Sequence, residues 1–293
     1  MVQKVIVMKL GGIMEKTLKK VVCILAIMIL SMSLVACSSS STSKTVDSKV
    51  AQPEKKVIKI ACMSTFEPMI DWLQEGLAPL GYEVKAVMFD ANQLPATALK
   101  DGDVDGLIHN HLPWIKTFNQ LNNCDLQMPQ PYLAYGRTAV YSTKHKTIDA
   151  IPQNARIAVP GDPSNMDKSL LILKDMGLIT LGERSGKFYT LLNIKDNPKN
   201  INLIETEISQ TIRSINDVDA AITPSYRAWK AGIDPASFLY EDPDSQNYQT
   251  GLVVNGKDVN AKWVQEALKV TQSAEFKAKF NAYYQGTYVL YNK

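Results

Sequence analysis

His109, His111 and Trp114 stand close together in the stretch Gly102 to Asn119, which reads GDVDGLIHNHLPWIKTFN. An imidazole donates, accepts or ligates depending on its proton, and an indole offers a broad apolar wall with one N–H. The short apolar run Gly106 to Ile108 before them reads as a strand. Pro113 behind them suits the first turn of a helix, where its missing N–H would be unpaired anyway. In open α/β sheets, ligands bind beyond the carboxyl ends of strands, so this cluster marks a candidate pocket. The same residues also fit a core tryptophan beside two exposed loop histidines. Asp103 and Asp105 are expected to cap and turn the chain rather than touch a ligand.

Metal chemistry needs more ligands than this. The chain has three histidines, the third of them, His145, in a Lys-rich loop, and no carboxylate stands at recognisable ligand spacing. No metal and no cofactor are expected. Catalytic signatures such as Gly-x-Ser-x-Gly, His-Glu-x-x-His or a phosphate loop do not occur, and neither Cys62 nor Cys124 has a histidine partner in sequence. The chain therefore reads as a binding protein, not an enzyme.

The first 36 residues read as a signal. Lys16, Lys19 and Lys20 precede the apolar run Val21 to Leu30, which is short of the roughly 20 residues a spanning helix needs. Leu34-Val35-Ala36-Cys37 resembles the bacterial lipobox, making Cys37 the expected lipid-bearing residue. Residues 37–56, rich in Ser, Thr and Lys, read as a flexible tether. An alternative start at Met14 remains open. Removing residues 1–36 deletes five lysines and one glutamate, so the formal charge falls from +3 to −1, and no nucleic-acid partner is expected. Cys62 and Cys124 are able to pair in an oxidising compartment, but the apolar surroundings of Cys62 favour two free thiols.

From Val57, short apolar strands alternate with amphipathic helices, as in βαβ units around a mostly parallel sheet. Strands are expected at Val57 to Met63, Val84 to Phe89, Gly106 to Ile108, Ala155 to Val159, Leu203 to Thr206, Ala220 to Ile222 and Gln249 to Val254. Helices are expected at Met69 to Leu80, Gln93 to Lys100, Pro113 to Leu121, Gly161 to Met176, Ser209 to Ile215, Asn260 to Thr271 and Ala274 to Tyr284. The segment Asp103-Val104-Asp105-Gly106-Leu107-Ile108 is echoed by Asp217-Val218-Asp219-Ala220-Ala221-Ile222. That echo suggests two similar lobes, with mostly parallel sheets, flanking helices and a central cleft. Lobe 1 is expected over 57–138, lobe 2 over 139–248, and a return to lobe 1 over 249–293.

Gly102-Asp103-Val104-Asp105, His111, Pro113 and Phe118-Asn119 resemble the NlpA/MetQ family of methionine-binding lipoproteins. So do Ile157 to Pro160 with Asp162-Pro163-Ser164-Asn165, Asn197 to Asn200, and Arg213-Ser214 with Asp217 to Ala221 and the Ala231-Gly232 turn. The resemblance spans about Val57 to Lys293. It implies a two-lobed periplasmic-binding-protein fold, a monomer held at the outer face of the cytoplasmic membrane by its N-terminal lipid. Its partners would be a small-molecule ligand and the permease and ATPase of an ABC importer. Anchor and architecture point the same way. A metal-ion-binding lipoprotein of an importer, or a surface lipoprotein with an adhesin-like role, are the alternatives.

Carried over residue by residue, the resemblance places the ligand site at Asn92, His109, His111, Trp114, Arg137, Asn165, Lys168, Tyr226 and Thr250. In the family an aromatic ring stands at the position of His109, and another at Asn92. An arginine that grips the ligand carboxylate stands at Lys168, and an Asn-Gly-Asn run at Pro224-Ser225-Tyr226. With so many contact positions changed while the turns are kept, the expected ligand is a small, amino-acid-like molecule more polar than methionine. Its anionic group is expected between Lys168, Arg137 and the helix N-terminus at Ser164-Asn165.

Overall fold

The computed structural model describes residues 57–292, so the expected signal, tether and Cys37 lie outside the described residues. The chain begins with β1 (Val57–Cys62), α1 (Glu67–Leu77), β2 (Glu83–Met88), α2 (Leu94–Asp101), β3 (Gly106–Leu107) and α3 (Leu112–Asn122). Two-residue β4 (Leu126–Gln127), then β5 (Ala134–Gly136) and β6 (Thr138–Tyr141), lead to β7 (Arg156–Pro160) and α4 (Pro163–Asp175). Next come β8 (Thr180–Leu181), β9 (Ile194–Asp196), β10 (Asn202–Thr206), β11 (Ala220–Pro224), α5 (Ser225–Lys230) and β12 (Tyr240–Glu241). The chain closes through β13 (Gln249–Thr250), β14 (Val254–Asn255), α6 (Lys262–Gln272), α7 (Ala274–Tyr284) and β15 (Tyr288–Leu290).

These elements build a two-lobed α/β fold. One lobe holds the parallel sheet β2-β1-β3. The other holds β10-β7-β11-β6-β12, in which β10, β7 and β11 are parallel, β6 runs against them, and β12, antiparallel to β6, runs with them again. Helices cover the apolar faces. Met69, Ile70, Leu73 and Leu77 of α1 pack with Ile58 and Ile60 of β1 and with Phe276 and Phe280 of α7. In the second lobe Met166, Leu170 and Leu173 of α4 pack on Ile157 and Val159. β5 lies between β13 and β15, so the return segment closes a sheet with a strand laid down far earlier in the chain.

The internal echo is a structural repeat with one job. Asp105 accepts from the Lys59 amide through Oδ2 at 2.8 Å, while its own amide donates to the Lys59 carbonyl at 2.8 Å. Asp219 does the same with Arg156, at 2.8 Å and 2.7 Å. Each aspartate thus locks the incoming strand beside the lobe's central strand, setting the registers Ile60↔Gly106 and Ile157↔Ala220. The repeat differs where packing differs. A Cβ on Gly106 would meet Val253 O at 3.2 Å and Trp263 at 3.3 Å, because the return segment bridges Leu107 through Val253. Ala220 meets no such constraint and keeps its methyl.

Two expectations change. The helix expected over Ser209 to Ile215 is one short 3₁₀ turn, Thr211–Ser214, because its apolar residues are too few to cover more than a corner of the sheet. The strand expected over Gln249 to Val254 is interrupted: β13 pairs β5 and β14 pairs β4, with Gly251 against Met128 between them. Cys62 and Cys124 are free thiols; burial pushes the Cys62 thiol up to about 12.

Removing either clamp leaves a strand amide without its acceptor. Asp105→Ala and Asp219→Ala are each expected to lower stability by about 0.5–1.5 kcal/mol, read as a fall in the urea midpoint. A neutral result at both positions would show that register is held elsewhere.

Candidate functional site

The carboxyl ends of β3 and β7 face one another across a cleft, and the residues that follow each strand build its walls. On one side α3 begins at His111, whose Nδ1 accepts from the Trp114 amide at 3.1 Å and so caps the helix. On the other side Asp162 caps α4 by accepting from the Asn165 amide at 3.2 Å. The two caps are joined: His111 Nε2 lies 3.1 Å from Asn165 Oδ1. The Asn165 side-chain Nδ2 donates to Asp162 Oδ2 at 2.8 Å, which leaves the side-chain oxygen toward the histidine. His111 therefore donates from Nε2 and accepts at Nδ1, a neutral ring in a fixed tautomer. Burial pulls it down to about 4.

Seven of the nine residues expected at the ligand site line one cavity between the lobes: Asn92, His109, His111, Trp114, Asn165, Lys168 and Thr250. The cavity has a volume of about 60 Å³, the space of roughly four to six waters. Trp114 serves both readings: it stacks on Phe118 at 5.3 Å in the core and presents its remaining surface to the cavity. Thr250 donates to the Ala134 carbonyl at 3.0 Å.

The other two residues do not reach the cavity lining. Arg137 is held by Glu241 in a two-pronged ion pair, Nη2 to Oε2 at 2.5 Å and Nε to Oε1. Glu241 arrives because β12 joins the sheet beside β6, opposite Ala139. Tyr226 is buried among aromatic rings, 5.5 Å from Tyr284 and 6.0 Å from Tyr288, with its hydroxyl 3.2 Å from that of Tyr283. Large aromatic area is worth more in a core than on a cleft wall.

The expected anion locus fails on the same grounds. Lys168 is buried, and each of its three N–H directions is occupied. It pairs with Asp242 Oδ2 at 3.0 Å, donates to Thr138 Oγ1 at 2.8 Å and sits 4.0 Å above the Tyr248 ring. Burial lowers its pKa in spite of Asp242. The N-terminus of α4 is already answered by the Asp162 carboxylate.

The facing wall is polar and incompletely satisfied. Asn110 Nδ2 donates to the Asn92 carbonyl at 3.1 Å and to Asn92 Oδ1 at 3.3 Å. That oxygen also lies 2.9 Å from His109 Nε2, which must then be the donor. His109 Nδ1 and Asn110 Oδ1 are left as bare acceptors, buried and without a partner among the described residues. Burial first, then the charge of Arg227, pulls His109 down to about 3. Sequence reasoning missed Arg227, Tyr248 and Asn110 among the lining residues. Arg227 stands one residue beyond the Pro224-Ser225-Tyr226 alignment, and Tyr248 carried no signal. Among the described residues no group of three or more His, Cys, Asp or Glu is placed to hold a metal.

Two outcomes follow from this geometry. Asp242→Ala strands the Lys168 ammonium in the interior and is expected to lower stability by about 3–5 kcal/mol, less in the Lys168→Met background, by urea unfolding of both. For the histidines, the unfolded pKa is about 6.5 and the folded values lie near 3 and 4. Between these limits the unfolded chain takes up protons that the folded chain refuses. Stability is thus complete above about pH 6.5 and falls as pH drops, by up to about 1.4 kcal/mol per pH unit for each histidine. Urea curves at pH 7 and pH 5 measure that slope, and His109→Phe should roughly halve it; an unchanged slope would exclude His109 as its source.

The sequence profile of the family described as NlpA lipoprotein matches residues 58–290. Lipoprotein 28 of Escherichia coli K12 is 31% identical over 261 residues, covering 85% of this chain and 89% of that protein. The D-methionine-binding lipoprotein MetQ of Escherichia coli O157:H7 is 33% identical over 216 residues, covering 70% and 77%. Among solved structures, a nutrient-binding protein from Burkholderia cenocepacia bound to methionine superposes with a TM-score of 0.75 at 29% identity, covering 80% of this chain and 99% of that one. The substrate-binding protein of a Streptococcus pneumoniae methionine transporter gives 0.75 at 26% identity, covering 80% and 95%. With the profile, the fold and the facing strand ends in agreement, this chain belongs to the NlpA lipoprotein family.

Proposed function

We propose that this protein binds a compact polar, amino-acid-like solute other than methionine and delivers it to an ABC importer. As a member of its family the chain is an extracytoplasmic solute-binding protein of an importer, a non-enzymatic class. We further propose that it acts as a monomer tethered through lipid on Cys37, and that the signal and tether occupy residues 1–56. No helix among the described residues is long and apolar enough to cross a membrane. We divide the lobes at about residues 138 and 248, where β6 and β13 enter their sheets.

The observation that carries the ligand reading is that His109 and Asn110 line the cavity and each holds a buried acceptor, Nδ1 and Oδ1, without a partner among the described residues. An acceptor buried without a donor costs about 1–3 kcal/mol. Methionine has only its α-ammonium N–H groups to offer there and nothing from its thioether chain, whereas a solute with a further hydroxyl or amide group can answer both acceptors. Lys168, committed to Asp242, is also a poor substitute for a free bidentate arginine.

Native mass spectrometry of the full chain, purified in mild detergent, tests this by identifying what co-purifies. A polar solute is expected, and at 100-fold over Kd it should stabilise the fold by about 2.7 kcal/mol. L- or D-methionine held tightly in the cleft would sink the reading.

A further inference from the structure

Arg227 is the one charged group on the cavity wall, among the described residues, whose charge is not already answered. Of the cationic side chains near the cleft, Lys168 is paired with Asp242 and Arg137 with Glu241. His109 and His111 are neutral rings, as their hydrogen bonds show. Arg227 lies on α5, directly after β11, and lines the cavity half-buried beside Pro224 and Tyr288. Among the described residues no hydrogen bond or ion pair engages its guanidinium. The carboxylate that acts on it electrostatically, Glu207, is turned to other donors: the Asn92 amide at 3.2 Å and the Ser209 amide at 2.5 Å. A guanidinium carries five N–H donors in a rigid fork suited to a carboxylate. Leaving such a cation in a cleft with no partner is unfavourable unless a ligand supplies the anion.

We infer that Arg227 is the anion anchor of this cleft and that the solute carries a carboxylate for it and an N–H or O–H group for His109 and Asn110. This rests on the polar-solute reading and narrows it to small amino or hydroxy acids. The cation has moved within the cleft: the lysine of α4 is locked into the wall, and α5, on the same lobe, supplies the free charge instead. The position also has an outer face. Arg227 borders a second recess that it shares with Arg213 and Lys230, and three cations around one opening attract an anionic solute toward it.

Isothermal titration of the detergent-solubilised full chain tests the assignment. The probes are glycine, L-alanine, L-serine, glycolate and L-lactate, each set against its primary amide. At least one acid is expected to bind the wild type at least 100-fold more tightly than its amide. Arg227→Gln should lose that acid by a similar factor, with Arg227→Lys in between. Because the guanidinium has no protein partner, ligand-free Arg227→Gln should melt at or above the wild-type temperature, which a structural arginine would not allow. Failure of every acid to bind, equal binding of acid and amide, or an unchanged Kd in Arg227→Gln overturns the inference. If Arg227→Gln melts early, the comparison of acid with amide on the wild type decides alone. A neutral polar solute bound equally by both proteins would defeat the Arg227 assignment and leave the polar-solute reading standing. Tight methionine binding by both would defeat the two together.

Discussion

The contact between His111 and Asn165 is the constraint on which the cleft depends. One imidazole closes a helix of the first lobe through Nδ1 and reaches the second lobe through Nε2. Both uses require the same neutral tautomer, and the Asn165 side chain is oriented for it by Asp162. A proton on Nδ1 would remove the cap while leaving the Nε2–H contact to Asn165 in place, so only the capping contact is lost on titration. Beside this bridge, the Asn92 amide donating to Glu207 ties the lobes a second time. Tyr248, at 5.0 Å from the His111 ring and under the Lys168 ammonium, fills the corner between them.

Charge inside the cleft follows a simple rule: a buried cation is retained with a partner, or it waits for one. Lys168 and Arg137 both have carboxylates from the segment around β12, Asp242 and Glu241. That short edge strand therefore decides which cations belong to the wall and which face the solute. The bare acceptors on the opposite wall and the free guanidinium of Arg227 are the complements left over. A molecule that carries an anion and an N–H or O–H donor would complement both.

The scaffold was largely legible from the chain because its signals are local. Strand and helix periodicity, the glycine with φ 83° that ends α2 at Gly102, and the paired Asp-Val-Asp segments all act within a few residues. The repeat of those segments pointed correctly to two lobes, and the same aspartates turn out to clamp the same step of each sheet. His111 and Trp114 were legible for a similar reason: a histidine before Leu-Pro at a strand end is a helix cap by position, whatever the ligand. Where the signal was short, as over Ser209 to Ile215, the local pattern overstated the helix.

Partners distant in sequence were not legible. Whether Arg137, Lys168 or Arg227 faces the solute depends on where Glu241 and Asp242 land, more than seventy residues beyond the first two cations. Their placement follows from β12 pairing with β6 at the edge of the second sheet. Tyr226 read as a contact because its neighbours in sequence sit at the cleft, yet α7 and β15 enclose it in aromatic rings. The stretch from Gly102 to Asn119 by itself marked a candidate pocket and the strand end that would hold it, with a core tryptophan and loop histidines fitting equally well. The polarity of that pocket was decided by the tertiary structure, because a charge is defined by what lies within a few ångströms, and those neighbours come from the other end of the fold.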